Sequence, residues 1–107
     1  MAQAPVSTPV TANVTDQLVF VTQGNTAGVA VIIGSDDSIG GGTMSLGVRP
    51  QGTDSDAVAY IDATLDAAHN QYYQIGTGMA VYVKLTGATA PSILVIASPV
   101  PAGVGNS

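Results

Sequence analysis

Residues 79–85 read Met79-Ala80-Val81-Tyr82-Val83-Lys84-Leu85, a strict alternation: Met79, Val81, Val83 and Leu85 share one side of an extended chain, and Ala80, Tyr82 and Lys84 share the other. Side chains of a β-strand repeat every two residues, so the pattern predicts a strand with one face in a core. Val29, Val31 and Ile33 repeat it, as do Met44, Leu46 and Val48. Short runs rich in β-branched residues recur at 17–22, 27–33, 42–48, 57–62, 71–75, 79–85 and 92–97. Turn-forming clusters separate them, among them Gln23-Gly24-Asn25, Gly34-Ser35-Asp36-Asp37, Pro50-Gln51-Gly52, Gly76-Thr77-Gly78 and Gly87-Ala88-Thr89-Ala90-Pro91. Segment 63–69 is too short for an independent helix and reads as a connection. This punctuation predicts an all-β fold, a single antiparallel β-sandwich or jelly-roll-like barrel of about seven to eight short strands.

Ile93-Leu94-Val95-Ile96 is apolar on both faces, the pattern of a strand covered on each side by a second sheet, an arm or a partner subunit. The chain ends read differently. Pro5 and Pro9 interrupt residues 1–16, which show no helical period, and Pro99, Pro101, Gly103 and Gly105 interrupt residues 99–107, excluding a strand interior there. One β-sandwich domain over 17–98 is therefore expected, with an extended N-terminal arm over 1–16 and an extended C-terminal tail over 99–107; 107 residues suit one domain. Arms whose one charged side chain is Asp16, and which carry Val6, Val10, Val14, Val100 and Val104, are suited to lie on a neighbouring molecule. Val6, Val10, Val14, Tyr72, Tyr73 and Val100 are the candidate partner-binding residues.

Charge narrows the function further. Two basic and seven acidic residues are the only formal charges among 107 side chains, and all seven acids are Asp; an average soluble domain has roughly a quarter of its residues charged. General acid–base, nucleophilic and metal chemistry draw on Cys, His, Lys, Arg, Glu and Asp held together. With no Cys, no Glu, one His, one Lys and one Arg, a non-enzymatic protein without cofactor or metal is expected. A neutral surface of Thr, Ser, Gln, Ala and Gly suits packing against other subunits, including a homo-oligomer, dimer or trimer. A net charge of −5 and a pI near 4.1 oppose duplex binding and a polybasic membrane contact, since Arg49 and Lys84 make no patch. Met1-Ala2-Gln3-Ala4-Pro5 lacks the basic start of a secretory signal, and no apolar run reaches membrane-spanning length. The absence of Cys leaves no disulfide framework.

Individual motifs carry little chemistry. Asp36-Asp37 and Asp54-Ser55-Asp56 are paired carboxylates of the kind that ligate Ca²⁺, yet Asp is an ordinary turn residue and neither segment has calcium-loop spacing. His69 follows Asp66 by three residues, so a hydrolytic triad can be written with a serine, but no nucleophile-elbow motif accompanies it. Gly40-Gly41-Gly42-Thr43 lacks the Lys of a phosphate loop and precedes a predicted strand. Asn13-Val14-Thr15 matches the glycosylation pattern by chance. Tyr60, Tyr72, Tyr73 and Tyr82 would suit a sugar platform or, more simply, sheet-edge and subunit contacts.

One set of segments carries a family resemblance: Gly40-Gly41-Gly42-Thr43-Met44-Ser45-Leu46-Gly47-Val48, Gln51-Gly52-Thr53, Ile75-Gly76-Thr77-Gly78, and Val83-Lys84-Leu85-Thr86-Gly87-Ala88-Thr89-Ala90-Pro91-Ser92-Ile93-Leu94-Val95. Together these resemble the glycine-led strand, short turn, G-x-G turn and closing strand of small β-sandwich virion proteins of tailed bacteriophages. Arg49-Pro50-Gln51-Gly52 departs from that pattern, and Asp54-Ser55-Asp56-Ala57 stands where an aromatic often follows. The resemblance spans roughly the last two thirds of the chain and implies a virion structural role with no catalytic residues. The expected function is capsid decoration or cement, bridging neighbouring major capsid protein subunits on the outer head surface after synthesis in the host cytoplasm. An acidic protein suits the outside, away from packaged DNA. A tail, head–tail connector or head-fibre component and a carbohydrate-binding adhesion module are the alternatives.

Overall fold

The alternating stretch forms the middle of a sheet. The computed structural model describes residues 4–24, 26–35, 41–52, 57–66 and 69–101, and its regular structure is all β. The strands are β1 (Val6–Val10), β2 (Val14–Val21), β3 (Thr26–Ser35), β4 (Thr43–Pro50), β5 (Ala59–Leu65), β6 (Asn70–Gln74), β7 (Met79–Thr86) and β8 (Ile93–Pro101). Pairing is antiparallel throughout: β1 with β8, β2 with β7, β3 with β6 and β4 with β5. The chain thus behaves as one long ribbon doubled back at β4–β5, then rolled so that β3 also meets β8 and β4 meets β7. The result is two sheets, β1-β8-β3-β6 and β2-β7-β4-β5, in the strand order of a jelly roll.

Period-two patterning brings the two sheets face to face. Val29, Val31, Ile33, Ile93, Val95 and Ala97 enter the core from the first sheet, and Met44, Leu46, Val48, Val81, Val83 and Leu85 from the second. Such aliphatic residues make thin layers, with Phe20 and Tyr73 the aromatic exceptions. Thr22, buried at one end, ties β2 to the turn before β7: its Oγ1 donates to Gly76 O at 2.9 Å and accepts from Met79 N–H at 2.9 Å.

Both ends depart from the expected arms. Val6–Val10 is strand β1, Val14–Asp16 begins β2, and β8 runs through Pro99 to Pro101. Hydrogen-bond parity explains how a sheet tolerates these prolines. Ile33 N–H donates to His69 O and Ile75 N–H to Ala27 O, so odd residues of β3 and β6 bond each other. Even residues of β3 then turn to β8, odd residues of β8 turn to the β1 side, and Ser7 and Pro9 turn to the open edge. Pairing between β1 and β8 ends at Val6↔Ala97, so Pro99 and Pro101 aim their missing N–H at a position with no neighbouring strand. Proline sits without penalty in such places.

Leu46→Ala, which empties a fully buried site, should lower the unfolding free energy by about 2–5 kcal/mol. Thr22→Val, which strands buried backbone partners, should cost about 1–3 kcal/mol; urea denaturation reads both.

Candidate functional site

The two outer sheet faces differ in chemistry. On the first sheet, residues alternating with the core set are Ser7 and Pro9 of β1, Leu94, Ile96, Ser98 and Val100 of β8, Ala30 and Ile32 of β3, and Asn70, Tyr72 and Gln74 of β6. None is charged. Leu94 is 40% exposed and Tyr72 46%, and Ile96 and Val100 are half-buried. The second cover expected over Ile93–Ile96 is thus missing among the described residues: Ile93 and Val95 reach the core while Leu94 faces outward.

The outer face of the second sheet holds both basic residues. Arg49 Nε donates to Tyr82 Oη at 3.2 Å, with the guanidinium 4.8 Å from that ring's centre. Lys84 Nζ lies 5.1 Å from the centre of the Tyr60 ring, and Tyr60 Oη donates to Asp16 Oδ1 at 2.5 Å. That bond first, then burial and the carboxylate's charge, raises the Tyr60 phenol above its ordinary 10.0. Tyr60 therefore straps the sheet from edge strand β5 to edge strand β2.

Each face has a tyrosine of an edge strand lying on a glycine of the next strand. A Cβ on Gly47 would clash with Val58 Cγ1 and stand 2.9 Å from Tyr60 Cδ1; a Cβ on Gly28 would stand 2.6 Å from Tyr72 Cε1. Only a residue without a side chain lets these rings lie flat on the sheet.

Between the edges β5 and β6 runs a polar latch. Tyr73 Oη donates to Asp62 Oδ2 at 2.5 Å and lies 2.8 Å from His69 Nε2. The phenol has one proton and gives it to Asp62, so His69 Nε2–H is the donor to its oxygen. The His69 and Tyr73 rings stack 6.2 Å apart, and Thr64 donates to Asp62 Oδ1 through both N–H and Oγ1. Hydrogen bonds from Thr64 and then Tyr73 hold the Asp62 carboxyl below its ordinary 3.8. Burial, then the bond to Asp62 and its charge, raises Tyr73 well above the phenol range. The latch joins the two sheets through β5 and β6.

The candidate partner-binding residues divide accordingly. Val6 and Tyr72 are exposed, Val14 is half-buried against the core, and Val100 is half-buried on the neutral face. Val10 and Tyr73 are corrections: both point inward, Val10 only 2% exposed, because their strand parity aligns with core residues Ile93 and Val29. The tyrosines form no common platform, since Tyr60 and Tyr82 lie on one outer face, Tyr72 on the other and Tyr73 between the sheets. His69 meets Asp62 through Tyr73, while its link to Asp66 is a backbone bond from His69 N–H to Asp66 O. Asn13 clasps the Ala88 backbone through Nδ2 and Oδ1. Asp36, Asp37, Asp54 and Asp56 lie outside the described residues, among which no group of three or more potential metal ligands occurs. The latch has no motif signature: its members all lie within residues 62–73, but β5 and β6 belong to different sheets, and the one hint in the sequence is a Tyr at a core-phase position of β6.

No family model, curated protein or solved structure matches the chain.

Tyr73→Phe removes a hydrogen bond to a carboxylate and should cost about 1.5–3 kcal/mol at neutral pH. The pH dependence has two limbs. The depressed Asp62 carboxyl contributes stability in full above its ordinary 3.8 and loses it as pH falls below, so Asp62→Asn should flatten the acid limb of Tm against pH. The raised Tyr73 phenol contributes below 10.0 and loses that contribution as pH climbs past it, so Tyr73→Phe should flatten the alkaline limb.

Proposed function

We propose that this protein is a non-catalytic structural subunit of a bacteriophage virion, a decoration or cement protein bridging neighbouring capsid subunits on the outer head surface. The observation that carries the reading is the asymmetry of the two faces. An uncharged sheet face with Leu94, Ile96, Ile32, Val100 and Tyr72 gains by being covered, while Arg49, Lys84 and Asp16 sit on the opposite sheet. The neutral face lies on the shell, the ionic face meets solvent, and a stiff two-layer wedge spans the seam between subunits. Weak contacts repeated over a symmetric lattice sum to tight binding. The motif resemblance over residues 40–95 supports the virion setting. Separation of the tyrosines onto different faces weighs against the carbohydrate-binding alternative, which needs neighbouring rings.

Co-sedimentation with heads purified without the protein tests this. Wild-type chain should bind saturably at a fixed stoichiometry, Leu94→Asp should weaken binding at least about ten-fold, and Lys84→Asp should leave it unchanged. Equal binding by Leu94→Asp, or no saturable binding of wild type to any head, rejects the proposal.

A further inference from the structure

Three of the four sheet edges are blunted. At the β1 edge the outward positions are Ser7 and Pro9, followed along β8 by Pro99 and Pro101, so donors are scarce. Strand β2 breaks register twice and carries Asp16 in a left-handed conformation with φ 61°. Strand β5 breaks register twice and carries Asp62. These are the devices by which sheets avoid edge-to-edge pairing.

Strand β6 has none of them. Asn70-Gln71-Tyr72-Tyr73-Gln74 pairs with β3 in unbroken register, without proline or charge. Odd residues face β3, so the N–H and C=O groups of Asn70, Tyr72 and Gln74 face outward, and no described residue bonds them. The Tyr73 latch ties the strand to β5, and the Tyr72 ring lies back over Gly28 of β3.

We propose that β6 is a dimerisation edge: β6 of a second copy pairs with it antiparallel about a two-fold axis at Tyr72, joining two four-stranded sheets into one of eight. The outward groups of an edge strand specify another strand as occupant. The sequence specifies this one. About Tyr72 the residues two positions away on either side are primary amides, Asn70 and Gln74, so a two-fold places amide opposite amide and Tyr72 opposite Tyr72. Those three pairs each exchange two backbone hydrogen bonds. Charge agrees: a copy with net charge −5 repels its like, and β6 and the adjoining outer face of its sheet carry no charged side chain. The dimer goes beyond the virion reading and holds whether or not the particle is a phage head.

The test is sedimentation velocity of the purified full chain across concentrations, with two sets of variants. Wild type should dimerise, and Asn70→Lys with Gln74→Lys should weaken the dimer at least about ten-fold by placing charge at the edge. The chain has no Cys, so single cysteines are unique reporters. Tyr72→Cys should cross-link on oxidation, since paired Cα atoms about 5.5 Å apart suit a disulfide. Leu94→Cys, separated from its counterpart by five strand spacings, about 24 Å across the sheet, and offset further along the strands, should not. Hydrogen exchange on wild type reads the same contact without mutation: the Tyr72 N–H should gain protection as concentration rises. Wild type that stays monomeric with an unprotected Tyr72 N–H overturns the proposal, as does a dimer cross-linked by Leu94→Cys and not by Tyr72→Cys. Head binding by Leu94→Asp is a separate readout, so failure of the dimer and failure of the virion reading are distinguishable.

Discussion

Two open four-stranded sheets leave four edges whose backbone donors and acceptors need water, a partner or a reason to have none. Charged side chains are the common means of keeping such edges apart, and this chain has nine in all. It relies on backbone devices instead. Proline removes donors along β1 and the end of β8, and register breaks distort β2 and β5. Both act on the main chain and add no charge to the surface. For the assembly role proposed above that choice is an advantage, because charges that repel unwanted neighbours also repel intended ones.

Tyrosine does work here that longer aliphatic and charged residues do elsewhere. With no Trp and one Phe, the core layers are thin, and the larger rings are spent outside or between the sheets. Tyr60 and Tyr72 lie on Gly47 and Gly28, shielding the backbone where glycine would expose it, and Tyr73 spans the gap between the sheets to reach Asp62. A flat ring on a glycine widens the covered area without adding charge or much side-chain entropy.

Alternation made the middle of the fold legible. Strands β3, β4 and β7 lie within a few residues of the runs read from the sequence because their apolar positions repeat at period two three or four times in succession. Strand β1 was not, since Pro5 and Pro9 read as breakers; a proline at an edge with its missing donor outward looks the same in sequence as one in a loose arm. The same ambiguity makes Pro99 and Pro101 of β8 look like a tail in the sequence. Val10 and Tyr73 read as surface residues in the sequence because inward or outward direction depends on register, and register depends on partners remote in sequence. The latch is illegible for a related reason: Asp62 merely closes the run 57–62 with no motif around it, and its role appears only when β5 and β6 face each other from different sheets.

A jelly roll hosts lectins, enzymes and shell proteins alike, so strand order decides little about function. What separates those uses is where polarity is concentrated. An enzyme or lectin gathers polar and charged groups at one concave site, where desolvated charges act strongly on a small ligand. In this molecule the described charges are dispersed and mostly engaged locally: Arg49 on Tyr82, Lys84 on Tyr60, Asp16 on Tyr60, Asp62 on Tyr73 and Thr64. Each pair stiffens a sheet or joins the two, and the broad neutral face carries none of them. Rigidity on one side and uncharged breadth on the other are properties a neighbour of comparable size can use, because a wide contact needs a surface that neither moves nor demands ionic partners.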